Sequence, residues 1–179
     1  MKFIYALMAL TVFTAPACAA DNMTALPADA ITSEFVTNTG DNAGTVQITE
    51  HGDHLLLKFD LSNLTAGVHA IHIHEKGDCS PIGDKAFTNT GGHFNPTGAD
   101  HGILNTKGMH AGDLPNFYAH AGGTAKFDVF AHGLSLNNAD TPNLLDTDGS
   151  AFVIHNAADD YKSGPAGDAG PRIACATVK

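Results

Sequence analysis

Residues 68–75 of the chain read VHAIHIHE, and this run indicates both the fold and, through its histidines, the chemistry. Apolar Ile71 and Ile73 alternate with His72 and His74, and alternation with a period of two predicts a half-buried β-strand. Residues two apart in a strand project from the same face, about 6 to 7 Å apart along the strand. We therefore expect both histidines to share one face while the isoleucines face the core, because a one-residue slip would exchange the two sets.

The same alternation recurs outside this run. The further predicted strands are residues 44–50 (GTVQITE), 54–60 (HLLLKFD), 124–131 (TAKFDVFA), 150–155 (SAFVIH) and 172–178 (RIACATV). Turn signals lie between them at Gly52-Asp53, Gly122-Gly123 and Asp148-Gly149. Short alternating strands separated by turns predict an antiparallel sandwich or barrel.

Two stretches between the strands have no strand pattern: residues 77–116, and residues 156–170 with Pro165 and three glycines. Both are far longer than the usual connection of about 4 to 6 residues. Long structureless segments in a compact domain are usually functional or ordered by a ligand. Since the histidines concentrate in and beside them, we expect the functional site there. We find no internal repeat and no linker that would indicate a second domain.

Composition narrows the function classes. The chain has 179 residues, 9 Lys plus Arg against 19 Asp plus Glu, a net charge of −10, and 43% hydrophobic residues. This is enough apolar material for one folded domain. Phosphate backbones and anionic lipid surfaces repel an acidic chain, so the composition argues against nucleic-acid binding and peripheral membrane binding.

The N-terminal residues 1–19 have the pattern of a cleaved signal peptide. Lys2 precedes an apolar stretch at residues 3–14, and Ala17-Cys18-Ala19 forms a cleavage site before Ala20. The alternatives are a buried N-terminal helix, or a bacterial lipoprotein signal in which Cys18 is lipidated and would attach the protein to a membrane. Cleavage would leave a domain of residues 20–179 and, since Lys2 is lost, a net charge of about −11.

Export also bears on the cysteines. Cleavage leaves only Cys79 and Cys175, and an oxidising compartment favours a disulfide between them over the alternative of two buried free thiols. Closing so long a loop would stabilise the fold by roughly 4 to 5 kcal/mol.

The histidines form the most specific pattern. After His72 and His74 come His93, His101, His110-Ala111-Gly112-Asp113 and, at the end of a predicted strand, His155. Three imidazole nitrogens with one carboxylate oxygen suit a tetrahedral zinc ion. From spacing alone, these residues predict a multi-histidine metalloprotein.

Taken in order, these motifs resemble the bacterial periplasmic copper,zinc superoxide dismutases. The matching segments are HIHE (72–75), GDC (77–79), GGHFNP (91–96), His101, HAGDL (110–114), VIH (153–155) with Asp159-Asp160, and GPRIAC (170–175). The resemblance covers most of the mature chain. It implies an all-β, eight-stranded antiparallel Greek-key barrel or sandwich of immunoglobulin-like type with two long functional loops.

The resemblance also implies a set of metal ligands. Copper would be held by His72, His74, His93 and His155, and zinc by His93, His101, His110 and Asp113. His93 would bridge the two ions. Since all seven positions are filled, the chain differs from the copper-only relatives that lack zinc and from chaperone relatives that lack the copper ligands.

Residues around the ligands match as well. By resemblance, Asp159 accepts hydrogen bonds from one ligand of each metal, His69 is a structural hydrogen-bonding residue, and Cys79–Cys175 pins the first long loop to the last strand. Arg172 would hold a small anion near the copper, because its guanidinium is always charged.

The implied reaction is the disproportionation of superoxide to O2 and H2O2 in the periplasm, by a monomer or homodimer. Arg172 and His93 would be the catalytic residues, with His93 releasing copper and taking up a proton when copper is reduced. The acidic chain needs a positive local field to attract an anion. We expect Lys76 and Lys85 to contribute to it, and Lys162 to a lesser extent.

Two other functions use overlapping residues. A periplasmic copper and zinc buffer would need the same ligands but neither Arg172 nor turnover. A zinc hydrolase would need a catalytic water and a general base, which the sequence does not indicate. Four histidines, His51, His54, His120 and His132, match no ligand position. We interpret these four as surface or core histidines, and the alternative for His51 and His54, which flank the Gly52-Asp53 turn, is a weak adventitious metal site.

Overall fold

The structure is a computed structural model and describes residues 30–179. The predicted signal peptide and Cys18 lie outside these residues. The strands are β1 (Ile31–Thr37), β2 (Asn42–His51), β3 (His54–Leu61), β4 (Gly67–His69), β5 (Ile71–His74), β6 (Phe117–Ala119), β7 (Ala125–His132), β8 (Ser150–His155) and β9 (Arg172–Val178). A 3-10 turn covers Thr88–Thr90. Within residues 30–179, no helix has the length and apolarity needed to cross a membrane.

Seven strands form one antiparallel sheet in the order β5-β8-β9-β1-β2-β3-β7, and β4 pairs with β6 in a second, two-stranded sheet. This confirms the predicted all-β antiparallel fold. The six segments with period-two alternation coincide with strands except at Ala70, Glu75 and Thr124, and Gly52-Asp53 forms the predicted two-residue turn between β2 and β3.

Within residues 30–179 there are nine strands where eight were expected, because the segment that contains His69 and His74 changes partner at Ala70. Before it, β4 pairs with β6; after it, β5 pairs with β8. Ala70 itself is fully buried and hydrogen-bonds through its N–H to the carbonyl of Ala157. The continuous predicted strand at residues 68–75 is therefore divided between two sheets.

Aliphatic and aromatic side chains of both sheets meet in one core, and Ile71 and Ile73 are fully buried in it, as the alternation predicted. Burial of a side chain of this size stabilises a fold by roughly 1.5–3 kcal/mol. The opposite face of β5 is not exposed either: His72 and His74 are 0% and 1% exposed. The expectation of a half-buried strand was wrong here because the long loop of residues 75–116 covers the second face.

That loop is fastened to the free edge of β5 by backbone hydrogen bonds. Ile73 donates its N–H to the carbonyl of Gly112, while its own carbonyl accepts the N–H of Phe94, and Glu75 donates to Gly92. An edge strand otherwise presents unpaired backbone groups. Pairing with β5 thus places His93 beside His72 and His74, with ring centroids 4.0 and 5.1 Å away.

Candidate metal centres

Four histidines converge on one point and are here called the tetra-histidine cluster: His72 and His74 on β5, His93 in the covering loop, and His155 at the end of β8. One ring nitrogen of each lies within 4.8 Å of the others, and all four residues are buried. Two strands and one loop supply the set, because β5 pairs with β8 and His74 forms an isolated bridge with His93.

The nitrogens that face this point lack hydrogen-bond partners. In residues 30–179, five buried side-chain polar atoms are unpaired. Four of them are His72 Nδ1, His74 Nε2, His93 Nε2 and His155 Nε2. An unpaired buried nitrogen costs about 1–3 kcal/mol, so four of them aimed at one position favour the binding of a positive ion there. A cation that prefers imidazole nitrogen fits this position.

The opposite ring nitrogens are all engaged, which fixes the tautomers. His72 Nε2 lies 2.9 Å from Asp159 Oδ2, His74 Nδ1 lies 3.1 Å from the carbonyl oxygen of Gly91, and His155 Nδ1 lies 3.0 Å from that of Gly170. Oxygen acceptors require these nitrogens to carry the proton. The unpaired nitrogens therefore carry the lone pairs, which is the arrangement of histidines that bind metal ions.

A second group lies beside the first and is here called the His3Asp cluster: His93, His101, His110 and Asp113, all in the covering loop. Asp113 Oδ1 is 2.8 Å from His93 Nδ1, 3.1 Å from His101 Nδ1 and 3.2 Å from His110 Nδ1. The Nδ1 atoms of His93 and His110 are 3.3 Å apart. In a tetrahedral zinc site with bonds of about 2.0–2.1 Å, donor atoms are about 3.3 Å apart, so this donor set fits zinc.

The second carboxylate oxygen of Asp113 is held by the loop backbone, since Oδ2 accepts the N–H groups of Gly102 and His110 at 2.9 and 3.1 Å. Oδ1 is thereby left to face the three imidazoles. His93 belongs to both clusters, with Nδ1 in the His3Asp cluster and Nε2 in the tetra-histidine cluster. One imidazole thus lies between two cation sites, and it can serve both only by losing both ring protons.

Asp159 connects the two clusters by accepting hydrogen bonds from one histidine of each. Its Oδ2 accepts from His72 Nε2 at 2.9 Å, and its Oδ1 accepts from His101 Nε2 at 3.1 Å and from the N–H of Tyr161 at 2.6 Å. Asn116 fixes the Asp159 backbone through two hydrogen bonds of 2.9 Å. Gly167, with a φ of +65°, packs so closely that a Cβ atom there would overlap Asp159 Oδ1.

Burial sets the protonation states of this region. It lowers the pKa of His155 to about 3, with His72 adding to the effect, and holds the pKa of His74 well below its usual value. Burial alone would raise the pKa of Asp159, but hydrogen bonds from His72, Tyr161 and His101 outweigh it and lower the pKa to about 2. Neutral imidazoles beside ionised carboxylates are the protonation states that a metal ion requires.

Arg172 stands at the opening above the tetra-histidine cluster. Its Nη1 donates to the carbonyl of Phe87 at 2.6 Å and to Thr90 Oγ1 at 2.9 Å, and its Nη2 donates to the carbonyl of Gly91 at 2.7 Å. With His74, His93 and His155 among its neighbours, Arg172 lines an open cavity of about 390 Å³. The cavity is large enough for a small anion, and Arg172 is the cation in its lining.

The remaining predicted residues lie around these clusters. Cys79 and Cys175 form the predicted disulfide, with Cα atoms 5.8 Å apart, which links the loop to β9 near Arg172. His69 is buried outside both clusters, where Nδ1 lies 2.8 Å from the carbonyl of His155 and Nε2 lies 2.8 Å from that of Thr65.

The three lysines do not line the 390 Å³ cavity. Lys85 shares a neighbouring cavity of about 650 Å³ with Arg172. Lys76 lines a separate depression with Asp78, Asp148 and Lys179. Lys162 is exposed, one residue beyond Tyr161. Lys85 is therefore the lysine with the most direct relation to Arg172.

Sequence reasoning missed Thr90, Asn116 and Gly167. Each supports a predicted site residue: Thr90 contacts Arg172, Asn116 holds the Asp159 backbone, and Gly167 leaves room for the Asp159 carboxylate. An invariant glycine or asparagine in a loop could have signalled the last two, but a single sequence carries no such information.

Comparisons with known proteins agree with this geometry. The sequence model of the copper/zinc superoxide dismutase family matches residues 42–178. The chain is 44% identical over 142 residues to a Cu-Zn superoxide dismutase of Caulobacter vibrioides, covering 78% of this chain and 80% of that protein. It is 38% identical over 148 residues to Cu-Zn superoxide dismutase 2 of Aquifex aeolicus, covering 82% and 85% respectively.

Solved structures show the same similarity. A superoxide dismutase-like protein from Bacillus subtilis superposes with a TM-score of 0.77 at 37% identity, covering 83% of this chain and 97% of that chain. The Cu/Zn superoxide dismutase of Brucella abortus gives a TM-score of 0.67 at 27% identity, covering 84% and 100%.

Proposed function

The chain belongs to the copper/zinc superoxide dismutase family, and from this membership we infer that it is an oxidoreductase that disproportionates superoxide to O2 and H2O2. Its cofactors are copper and zinc, and its substrate is the superoxide anion. The two clusters of buried donor atoms provide places for both ions.

We propose that the tetra-histidine cluster, with His72, His74, His93 and His155, is the copper site. The supporting observation is that four of the five unpaired buried polar side-chain atoms in residues 30–179 are ring nitrogens that converge on one position. We propose that the His3Asp cluster, with His93, His101, His110 and Asp113, is the zinc site, since its three nitrogens and one oxygen match zinc in type and spacing.

When bound, copper supplies the redox change that oxidises one superoxide and reduces the next, whereas zinc has no accessible redox state and fixes the loop and His93. We propose that Arg172 binds the anion, because three hydrogen bonds hold its guanidinium at the cavity wall. His93 Nε2, whose lone pair faces the proposed copper position, would take up a proton in the reduced state and donate it to the reduced product. Two superoxide anions and two protons yield one O2 and one H2O2, which balances the reaction.

Asp159 acts as a positioning residue for both sites, since one carboxylate fixes His72 for copper and His101 for zinc. His69 holds the backbone of His155 through that residue's carbonyl. Such outer partners typically change metal affinity or activity 10- to 100-fold when they are removed.

We propose that the protein works in the periplasm after removal of residues 1–19, leaving the dismutase domain of residues 20–179. The charged, apolar and small residues at the N-terminus support export. The disulfide between Cys79 and Cys175 also supports it, because disulfides persist in oxidising compartments.

The test is to purify the chain from Ala20 onward, quantify copper and zinc per chain, and assay superoxide consumption. We expect about one ion of each per chain, loss of activity when copper is removed, and recovery when copper alone is returned. Stoichiometric metal without turnover would instead identify a metal buffer. An Arg172→Gln variant provides a second test. In a dismutase it should lower the rate of superoxide consumption while the metal content stays unchanged.

A further inference from the structure

Three histidines that belong to neither metal centre lie side by side on adjacent strands. His51 ends β2, His54 begins β3, and His132 ends β7. His51 is paired directly with His54, and His54 is paired directly with His132. Residues directly opposite each other in antiparallel strands project from the same face of the sheet. The three imidazoles therefore form one row, here called the surface histidine row.

Neighbouring rings of the row are a few tenths of an ångström farther apart than those of the His3Asp cluster. The ring centroids of His51 and His54 are 5.7 Å apart, and those of His54 and His132 are 5.6 Å apart. In the His3Asp cluster, the centroids of His101 and His110 are 5.3 Å apart. Because His51 and His132 are exposed, both can turn toward His54 without disturbing the core.

Asp53 gives this row the features of a metal site. Asp53 Oδ1 lies 3.3 Å from His54 Nδ1, and hydrogen bonding to His54 lowers the pKa of Asp53. A carboxylate that accepts the Nδ1 proton leaves Nε2 with its lone pair, which is the usual arrangement behind a metal-binding histidine. Asp53 also adds negative charge beside the three imidazoles.

The backbone fixes this arrangement. The carbonyl of Asp53 accepts the N–H of Gly133 at 2.8 Å, so the β2–β3 turn is attached to the residue that follows His132. The ring of Phe130 lies edge-on to that of His54, with the centroids 6.2 Å apart. His54 is partly buried, whereas His51 and His132 are exposed and can adjust their side chains.

We propose that His51, His54 and His132 form an additional surface site for a divalent transition-metal ion of the imidazole-binding class. Its affinity order should be Cu²⁺ above Ni²⁺, as for nitrogen donor sites in general. The site is independent of the dismutase reaction, because β2, β3 and β7 carry none of the proposed copper or zinc ligands. It would give the exported protein a third place to bind copper.

The test uses the protein with native copper and zinc loaded, and Ni²⁺ as a probe that metal analysis distinguishes from both. Equilibrium dialysis should show about one bound Ni²⁺ per chain with no release of copper or zinc. His54→Gln and His132→Gln should each weaken Ni²⁺ binding at least tenfold. His51→Gln and Asp53→Asn should weaken it to a smaller extent.

His120→Gln is the matched control, because His120 is also exposed but lies in the turn after β6, next to Tyr118. It should bind Ni²⁺ like the unsubstituted protein. All variants should retain dismutase activity, which checks their folding. The proposal would be overturned if Ni²⁺ bound equally well to His132→Gln, if His120→Gln caused the same loss, or if Ni²⁺ bound only by displacing zinc.

Discussion

Thr90 accepts a hydrogen bond of 2.9 Å from the guanidinium of Arg172 through its fully buried hydroxyl oxygen. The same oxygen lies 3.1 Å from Nδ1 of His74 and 2.9 Å from the carbonyl of Phe87. One hydroxyl thus connects the proposed anion-binding residue with a proposed copper ligand. This makes Thr90 a positioning residue that acts through Arg172 and His74.

We expect Thr90→Val, which is nearly isosteric, to lower kcat/KM roughly tenfold, since an unmet buried hydrogen bond costs about 1–3 kcal/mol. The affinity for azide, a small anion, should fall with it, and Thr90→Ser should restore both. Thr88→Val is the control, because Thr88 lies in the same 3-10 turn but is exposed. Equal losses in both variants would indicate a general disturbance of the turn.

The second prediction concerns Asp159. In Asp159→Asn, one of the two side-chain oxygens is replaced by an NH2 group, which donates hydrogen bonds and cannot accept them. The side chain can then accept a hydrogen bond from only one of His72 and His101. We expect the zinc affinity to fall about 10- to 100-fold, measured by competition with a chelator, and the copper spectrum to change. Asp160→Asn removes the same charge from the exposed neighbour and should change neither. Unchanged zinc affinity in Asp159→Asn would contradict the role proposed for this carboxylate.

The strands that the sequence predicted correctly are those in which alternation is strong. In β1, whose sequence is ITSEFVT, the buried residues are Ser33, Phe35 and Thr37. Because two of these three are polar, the sequence does not show an alternation of apolar and polar residues. The strand β6 has three residues, too few to show any period. Alternation also could not reveal that β5 is buried on both faces, because a segment remote in sequence covers it.

A similar limit applies to the site. Histidine and aspartate were recognisable as candidate ligands because few other residues provide such donors. Thr90 could not be recognised as a site residue from the sequence, because its role depends on Arg172, which lies 82 residues away in the chain. His132 joins His54 only through strand pairing, so the sequence suggested a site at the β2–β3 turn but not its third member.

The third prediction concerns the disulfide, which closes a loop between residues 96 positions apart. Its loss in Cys79→Ser/Cys175→Ser should lower the free energy of unfolding by roughly 4 to 5 kcal/mol, measured by denaturant titration. Activity should fall as well, because the loop that holds Arg172 loses its covalent link to β9. A reductant should reproduce both effects in the unsubstituted protein and have no further effect on the double variant.

The last prediction concerns the attraction of superoxide to an acidic protein. Lys85 shares a cavity with Arg172, whereas Lys76 lies beside Asp78 and Asp148, whose charges oppose its own. We therefore expect Lys85→Gln to lower the rate at low salt about two- to threefold and Lys76→Gln to have less effect. The difference should diminish near 0.1 M salt, where the screening length is about 10 Å.

Lys58→Gln provides the control for this experiment. Lys58 lies on β3, opposite Asp128 of β7, so its removal changes the net charge by the same amount without altering either loop. If the rate of Lys85→Gln depended on ionic strength in the same way as that of Lys58→Gln, steering by Lys85 would be wrong. The positive field at the site would then come from Arg172 and the copper ion alone.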